Sequence, residues 1–290
     1  YWHRLIINGS GHIIQAENRS GRDSGRLRGS MRLEVLVSSV NQKVTDMAER
    51  MHLESDVVIV NQTDHFEYEE YMYLGNHIRC YSFAEKGVGL SRNNALLRAQ
   101  GDIVLFSDED IVYDEGYAQK VLREFERHPE ADMLLFNIRV GEARATYYTK
   151  EFHRVHIWNA GRYPTYSFAV RREKLHAAHI TFSLLFGGGA KYSNGEDSLF
   201  LKDCLSYGFK VYAVPVELGA ETERESTWFH GYDEKFFTDR GVLYHFLYGR
   251  LAWLMSVRFL AAHGQLMCQD IPRDKALKLM EQGIRSVRGL

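Results

Sequence analysis

The sequence predicts an α/β fold, a doubly wound and mostly parallel sheet followed by C-terminal helices. Apolar runs of four to six residues alternate with helical patterns from residue 31 to about residue 140. This alternation is typical of strands that are buried between two layers of helices. Beyond residue 232 the chain is helical and rich in aromatic residues.

Each strand is recognised by a short apolar run, and each helix by apolar residues spaced three or four positions apart. The predicted strands are residues 33–40, 57–60, 77–83, 103–106, 132–138, 166–171 and 210–214. The predicted helices are residues 44–51, 91–99, 117–128, 173–176 and 198–207, with more helix after residue 232. Gly208 is suited to end the helix before it.

The composition limits the class of protein. Of 290 residues, 45% are hydrophobic and 26% are charged, as in ordinary folded domains, and a net charge of −2 gives no reason to expect a nucleic acid partner. The cysteines Cys80, Cys204 and Cys268 lack metal-ligand spacing and are expected to be reduced thiols. No signal peptide and no uncharged apolar stretch of about 18 residues is found, which predicts a cytoplasmic protein.

An acidic cluster follows the strand at 103–106. If the strand continues, Asp108 and Asp110 share one face and Glu109 points the other way. Two carboxylates at the carboxyl end of a parallel strand can hold a divalent cation that carries a diphosphate. The alternative is a solvated acidic turn.

Polar side chains also follow the first two strands. Ser38 and Asn41 come after the first strand, and Asn61 and Asp64 after the second. Ligands of open α/β sheets bind beyond these strand ends, where such side chains can pair with a nucleobase. Local capping of turns explains each residue equally well when it is taken singly.

A glycine pair precedes the helix that carries Arg92. Gly87 and Gly89 lack the third glycine of a dinucleotide fingerprint, and the chain has no P-loop. A helix N-terminus next to an arginine still attracts phosphate. Farther along, Glu196 and Asp197 precede another helix, where acids stabilise the first turn regardless of any catalytic role.

Residues 86–95 and 101–110 together resemble the central signature of inverting family 2 glycosyltransferases with the GT-A fold. The resemblance covers roughly residues 31–248. It implies a catalytic domain at 31–232, with a nucleotide-sugar-binding half at 31–140 and an acceptor-binding half at 141–232, before a C-terminal helical region at 233–290. Residues 1–30, rich in Gly, Ser and Arg toward their end, are expected to be a flexible or non-native extension.

The resemblance also implies roles for the polar residues. Asp108 and Asp110 would bind Mn²⁺ or Mg²⁺ on the diphosphate of a nucleotide-sugar, usually a UDP-sugar, with Asp64 near the uracil and Arg92 near the diphosphate. Asp197, preceded by Glu196, would be the general base. His230 is a candidate third metal ligand, and Trp228 a candidate contact of the acceptor sugar. The first loop lacks the aromatic residue common in the family, which leaves the nucleotide open.

The predicted function is metal-dependent, inverting transfer of a sugar to a hydroxyl of a saccharide or of a polyprenyl-diphosphate-linked saccharide in polysaccharide biosynthesis. A nucleotidyltransferase acting on sugar phosphates is one alternative, although the first loop contains neither glycine nor arginine. A non-catalytic carbohydrate-binding protein on the same fold is the other, although both acidic pairs are intact.

Residues 240–262 are apolar and aromatic but are interrupted by Arg250 and Arg258. The two arginines argue against a membrane-spanning helix. The segment is predicted either to pack over the catalytic sheet or to contact the inner face of the plasma membrane peripherally.

Overall fold

One mixed sheet forms the centre of the described chain. A computed structural model describes residues 31–141, 147–222 and 231–287. Its strands are β1 (Leu33–Val40), β2 (Asp56–Gln62), β3 (Glu67–Tyr73), β4 (Asn76–Phe83), β5 (Ile103–Asp108), β6 (Ile111–Tyr113), β7 (Met133–Arg139), β8 (His153–Arg154), β9 (Phe168–Arg171) and β10 (Val211–Glu221). Its helices are α1 (Met47–Arg50), α2 (Val88–Arg98), α3 (Tyr117–Arg127), α4 (Arg172–Ala178), α5 (Glu196–Ser206), α6 (Glu234–Tyr248), α7 (Ala252–Met267) and α8 (Arg273–Ser286).

The strand order places the carboxyl ends of the parallel strands at one edge. The order is β3-β4-β2-β1-β5-β9-β7-β10-β6, with β8 beside β10. Strands β4, β2, β1 and β5 are parallel neighbours, whereas β9 runs antiparallel between β5 and β7. Because Ser38 lies opposite both Val60 and Asp108, the loops after β1, β2 and β5 emerge side by side.

Helices cover both faces of the sheet, as the predicted doubly wound architecture requires. On β1, Val35 and Val37 pack in one apolar cluster with Phe125 of α3. Leu36, which points the other way, packs in a second cluster with Phe200 of α5. Because neither face of β1 meets solvent, five of its eight residues are apolar.

The predicted elements are confirmed in outline, with informative differences. Strand β3 was not predicted, because its sequence, rich in Glu and Tyr, belongs to a sheet edge with mostly exposed side chains. Helix α2 begins at Val88 rather than at Ser91, since Gly87 adopts a positive φ of 125° and serves as the N-cap. The thiols of Cys80 and Cys204 are buried and that of Cys268 is half-buried, and all three are free.

The three C-terminal helices form a third apolar cluster. The apolar run at 242–260, which looks continuous in the sequence, is interrupted by a 3-10 turn at Gly249–Leu251 that separates α6 from α7. Val242, Leu243 and Leu260 are buried in this cluster, so the segment packs on the neighbouring helices rather than directly over the sheet. In the described ranges, no helix is both long and apolar enough to cross a bilayer.

Candidate active site

Arg92 lies at the centre of the candidate site, in the second turn of α2. Its Nη2 donates a hydrogen bond to Asp108 Oδ1 at 2.8 Å, and its Nη1 donates to Glu196 Oε1 at 2.9 Å. The arginine side chain is only 5% exposed. The carboxylates at the end of β5 and at the start of α5, which are far apart in the chain, therefore lie one guanidinium group apart.

The charge of Arg92 is maintained by these two acids. Burial by itself lowers the pKa of the guanidinium, but the charges of Asp108 and Glu196 raise it, and the net pKa lies above its ordinary value. The resemblance implied that Arg92 lies near the diphosphate, and this stays a prediction. In the structure both terminal nitrogens donate to carboxylates, so Arg92 connects the two acidic segments.

Asp197 lies in the first turn of α5, next to Glu196. Its Oδ1 accepts a hydrogen bond from the backbone N–H of Ser198 at 2.7 Å. Burial, followed by the negative charge of Glu196, raises the pKa of Asp197 to about 7, while the Ser198 N–H, Arg92 and Arg240 oppose the rise. A carboxyl group with this pKa can exchange a proton near neutral pH.

The geometry of the acidic cluster differs from the prediction. Strand β5 ends at Asp108, and Glu109 and Asp110 form a turn, so the alternation of strand faces does not extend to Asp110. The Glu109 carboxylate turns back to the first loop, where it accepts hydrogen bonds from Val40 N at 2.7 Å and Gln42 Nε2 at 3.1 Å. Glu109 thus holds that loop beside the acids.

Asp108 and Asp110 are suited to hold a cation only together with other ligands. Within the described ranges, no three His, Cys, Asp or Glu side chains are grouped so that they could bind a metal ion. Asp108 Oδ2 accepts no hydrogen bond from the residues that the structure describes, and the Asp108 side chain is 33% exposed. Carboxylates completed by phosphate oxygens and water are a ligand set that Mg²⁺ accepts. His230 and Trp228, the other predicted contacts, lie outside the described residues.

A polar cleft of about 380 Å³ opens between the first loop and the segment after β2. Asn41 and Asp64, both predicted to bind the nucleotide, line it. Asp64 is fully exposed, and a 2.8 Å hydrogen bond with His65 lowers its pKa, so its carboxylate is available as an acceptor.

Asn61 also lines this cleft, whereas Ser38, the other predicted contact, is not among its lining residues. Ser38 Oγ donates to Ser91 Oγ at 2.8 Å, which ties β1 to α2. The amide oxygen of Asn61 accepts from Ser39 Oγ at 3.2 Å and from Gln42 N at 3.0 Å, while its amide nitrogen donates to Gln42 O at 2.8 Å. The predicted base contacts of Ser38 and Asn61 thus compete with bonds that fix the loop.

A glycine-rich loop at 187–189 lies against α2 and Glu196. At Gly187, a Cβ atom would lie 2.6 Å from Val88 Cγ1 and 2.8 Å from the carboxyl carbon of Glu196. The missing side chain therefore leaves room for α2 and for the Glu196 carboxylate.

Helix α6 forms a wall of the site that sequence reasoning missed. Ser193 donates from its backbone N and its Oγ to Asp239 Oδ2, at 3.0 and 2.9 Å. The loop that precedes Glu196 and Asp197 is thereby fastened to α6, next to Arg240. The sequence feature that could have indicated this wall is Asp239, an acid within an aromatic helix. In the structure, Asp239 is only 6% exposed.

The fold and site define the chain as an α/β transferase domain whose acidic segments converge beyond the carboxyl ends of parallel strands. Residues 33–187, more than half of the chain, match the family described as Glycosyl transferase family 2, and the chain belongs to this family. The protein is therefore a nucleotide-sugar-dependent glycosyltransferase, and the predicted family is confirmed.

Solved structures confirm the predicted fold. The chain is similar to residues 1–349 of S. aureus TarS in complex with UDP-GlcNAc, with a TM-score of 0.60, 16% identity, and coverage of 88% of this chain and 82% of that chain. The complex of the same TarS fragment with UDP gives a TM-score of 0.57 and 15% identity, over 88% and 81% of the two chains.

A longer TarS structure gives a TM-score of 0.58 and 16% identity, and the match covers 88% of this chain but only 49% of that chain. At these identities the likeness shows the GT-A fold alone. None of the curated proteins that were compared is significantly similar to the chain.

Proposed function

We propose that the protein transfers a sugar from a UDP-sugar, with inversion at the anomeric carbon, to a hydroxyl of a saccharide or polyprenyl-diphosphate-linked saccharide in polysaccharide biosynthesis. The observation that carries the proposal is the Arg92 bridge, which brings Asp108 and the Glu196-Asp197 pair to one place. A cation-binding acid and a proton acceptor on opposite sides of a bound sugar are what an inverting displacement needs.

Asp197 is the proposed general base. As the acceptor oxygen bonds to the anomeric carbon and the bond to the diphosphate breaks, the hydroxyl proton passes to the Asp197 carboxylate. Its pKa of about 7 supports this role, because proton transfer is most efficient when the pKa of the base lies near the working pH. Arg92 and Glu196 hold the surrounding charges in place.

Asp108 and Asp110 are the proposed ligands of Mn²⁺ or Mg²⁺, with His230 a candidate third. When bound, such an ion neutralises charge on the leaving diphosphate. The partial exposure of Asp108 and its Oδ2, which is not hydrogen-bonded to other described residues, support this assignment.

The proposed nucleotide site is the cleft lined by Asn41 and Asp64. A carboxylate at Asp64 can accept the imide N–H of uracil. The TarS fragment that shares the fold has been solved with UDP-GlcNAc and with UDP, which supports a UDP-sugar as donor.

Residues 31–140 are the proposed donor-binding half, and residues 141–232, including Trp228, the acceptor-binding half. The helical region at 233–290 is proposed to contact a membrane surface through α7. Leu251, Trp253 and Leu254 are 59%, 49% and 56% exposed and adjoin Arg250, a combination suited to the interface of an anionic bilayer.

The test is nucleotide release from a panel of UDP- and GDP-sugars with and without Mn²⁺, together with thermal stabilisation by each donor. We expect Asp197→Asn to lose roughly 100-fold or more in transfer while its stabilisation by the UDP-sugar persists. Asp203→Asn, on the same helix but away from the site, is the matched control and keeps its activity. Near-normal turnover in Asp197→Asn would falsify the assignment of the base.

A further inference from the structure

Most of helix α6 and the segment after it carry positive but no negative side chains. Residues 240–269 contain Arg240, Arg250 and Arg258 but no Asp or Glu. Among the residues that the structure describes, none of these three arginines forms an ion pair, whereas the buried Arg92 pairs with two acids. An arginine with no acid partner is a natural binding group for an anion.

Arg240 lies in the helix that is fastened to the loop before the proposed base. It follows Asp239, which fastens the loop before Glu196 and Asp197 to α6, and its charge acts on Asp197. Its guanidinium carbon lies 5.0 Å from the ring centre of Phe236 and 5.2 Å from that of Phe259. Its Nε is buried and has no hydrogen-bond partner among the described residues. The two rings therefore hold the guanidinium in place without neutralising it.

A second arginine lies near this part of α6, because Arg258 precedes Phe259, whose ring centre is 5.8 Å from that of Tyr244. Tyr244 and Tyr248 follow Arg240 at successive turns, with their ring centres 5.1 Å apart. Burial raises the pKa of Tyr244 to about 12, and the charges of Arg240 and Arg258 oppose the rise. Arg258 is exposed on α7. The side chains of α6 that follow Arg240 on this face are therefore Tyr244 and Tyr248, and Arg258 of α7 lies near them.

We propose that the acceptor is anionic, and that Arg240 and Arg258 bind a phosphate group close to its accepting hydroxyl. This inference rests on the proposed function, because it assigns the substrate whose hydroxyl Asp197 deprotonates. The planar, five-donor guanidinium matches phosphate oxygens, and the phenol rings beside it offer surface and hydroxyl groups to a sugar. The donor diphosphate is assigned to the Asp108 side, so these arginines remain for the acceptor.

Such a phosphate can belong to a phosphodiester-linked polymer or to a diphosphate-linked lipid. Two pairs of small probes separate these sources. Glycerol 3-phosphate and glycerol represent the polymer, while N-acetylglucosamine 1-phosphate and N-acetylglucosamine represent the lipid-linked sugar. Binding of each is measured by calorimetry to the full chain in the presence of UDP and Mn²⁺.

We expect the phosphorylated member of at least one pair to bind about ten-fold more tightly than its uncharged partner. Arg240→Gln and the exposed Arg258→Gln should each remove most of that difference and leave the affinity for UDP within about two-fold. Arg285→Gln is the matched control, since it removes an exposed arginine on α8 that pairs with Glu281. Arg258→Gln keeps the test valid if the half-buried Arg240 is needed for folding.

The outcomes separate the two proposals. If UDP does not bind the unaltered protein, the proposed function fails and the inference fails with it. If UDP binds but phosphorylated and uncharged probes bind equally, or if neither binds, only the anionic acceptor is overturned. The anionic acceptor is also overturned if Arg240→Gln and Arg258→Gln both keep the full preference for the phosphorylated probes.

Discussion

At the scale of single residues, the site depends on one buried cation among three acids. Arg92 contacts Asp108 and Glu196 directly, and its charge also lowers the pKa of Asp197. Glu196 acts in the opposite sense, since its negative charge raises the pKa of Asp197. The proton affinity of the proposed base is therefore set by its neighbours as well as by its burial.

The pH dependence of activity follows from this balance. We expect kcat/KM to rise as the pH increases through about 7, because only the ionised form of Asp197 accepts a proton. In Glu196→Gln the rise should move to lower pH, since a negative charge that disfavours ionisation is removed while Arg92 and Arg240 remain. A pH–rate profile of both proteins checks this, and an unshifted or upward-shifted limb in the variant contradicts it.

The stability of the protein should depend on the same group. The pKa of Asp197 is about 7 in the folded chain and 3.8 for an ordinary Asp, so the folded state binds more protons between these values. The free energy of unfolding therefore falls as the pH rises from about 4 to 7. In Asp197→Asn this contribution is absent, and between pH 4 and 7 the variant should gain up to about 4 kcal/mol relative to the unaltered protein. Urea unfolding at several pH values measures the difference, and a constant difference argues against a raised pKa.

Loss of the Arg92 cation should be costly. Arg92→Met leaves the Asp108 and Glu196 carboxylates facing each other without compensation, and we expect the free energy of unfolding to fall by about 3 kcal/mol. The control is Arg127→Met, because Arg127 is 73% exposed in its pair with Glu124 and should cost about 1 kcal/mol or less. Similar losses in urea unfolding for the two variants would show that the bridge does not support the fold.

At the scale of elements, the wall of the site depends on how closely α6 and α8 approach. A Cβ at Gly241 would lie 2.0 Å from Met280 O, and one at Gly283 would lie 2.1 Å from Thr238 O. Both obstacles are backbone atoms, so they cannot move aside independently of their helix. The position of α6, and with it that of Arg240, is thus coupled to α8.

This close crossing predicts a strong effect of one methyl group. Gly241→Ala should lower the free energy of unfolding by about 3 kcal/mol, because α6 and α8 must separate. Gly264→Ala is the matched control within α7, since the added Cβ meets only the flexible side chain of Arg273, at 2.9 Å. In thermal or urea unfolding, Gly264→Ala should lower the free energy of unfolding much less than Gly241→Ala does. Equal losses for the two variants would contradict the close approach of α6 and α8 as the cause.

At the scale of the whole molecule, the start of α7 and the turn before it present an exposed apolar surface. If it contacts a membrane, replacing Leu251, Trp253 and Leu254 together by Ser should reduce binding to vesicles that contain anionic lipid about ten-fold or more. Activity on a water-soluble acceptor should be retained. Vesicle sedimentation checks this, with neutral vesicles as the reference, and undiminished binding of the triple variant would remove α7 as the contact.

Local patterns predicted much of this architecture. Apolar runs such as β1 identified the buried strands because both of their faces meet helices. Strand β3 escaped prediction because an edge strand carries little apolar signal, and the start of α2 was misplaced because Gly87 caps it through its backbone conformation. The predicted roles of Asp197, Asp108 and Asp110 remain predictions, although the structure brings their segments together.

The chain by itself determined the family, the parallel sheet and the segments that carry acids, because these depend on periodicity and on residues adjacent in sequence. Only the tertiary structure decided which charges meet. The engagement of Arg92 by two carboxylates, the return of Glu109 to the first loop and the attachment of Ser193 to Asp239 of α6 all join distant residues. Such pairings are set by how strands and helices pack in space, a property that no local stretch of sequence encodes.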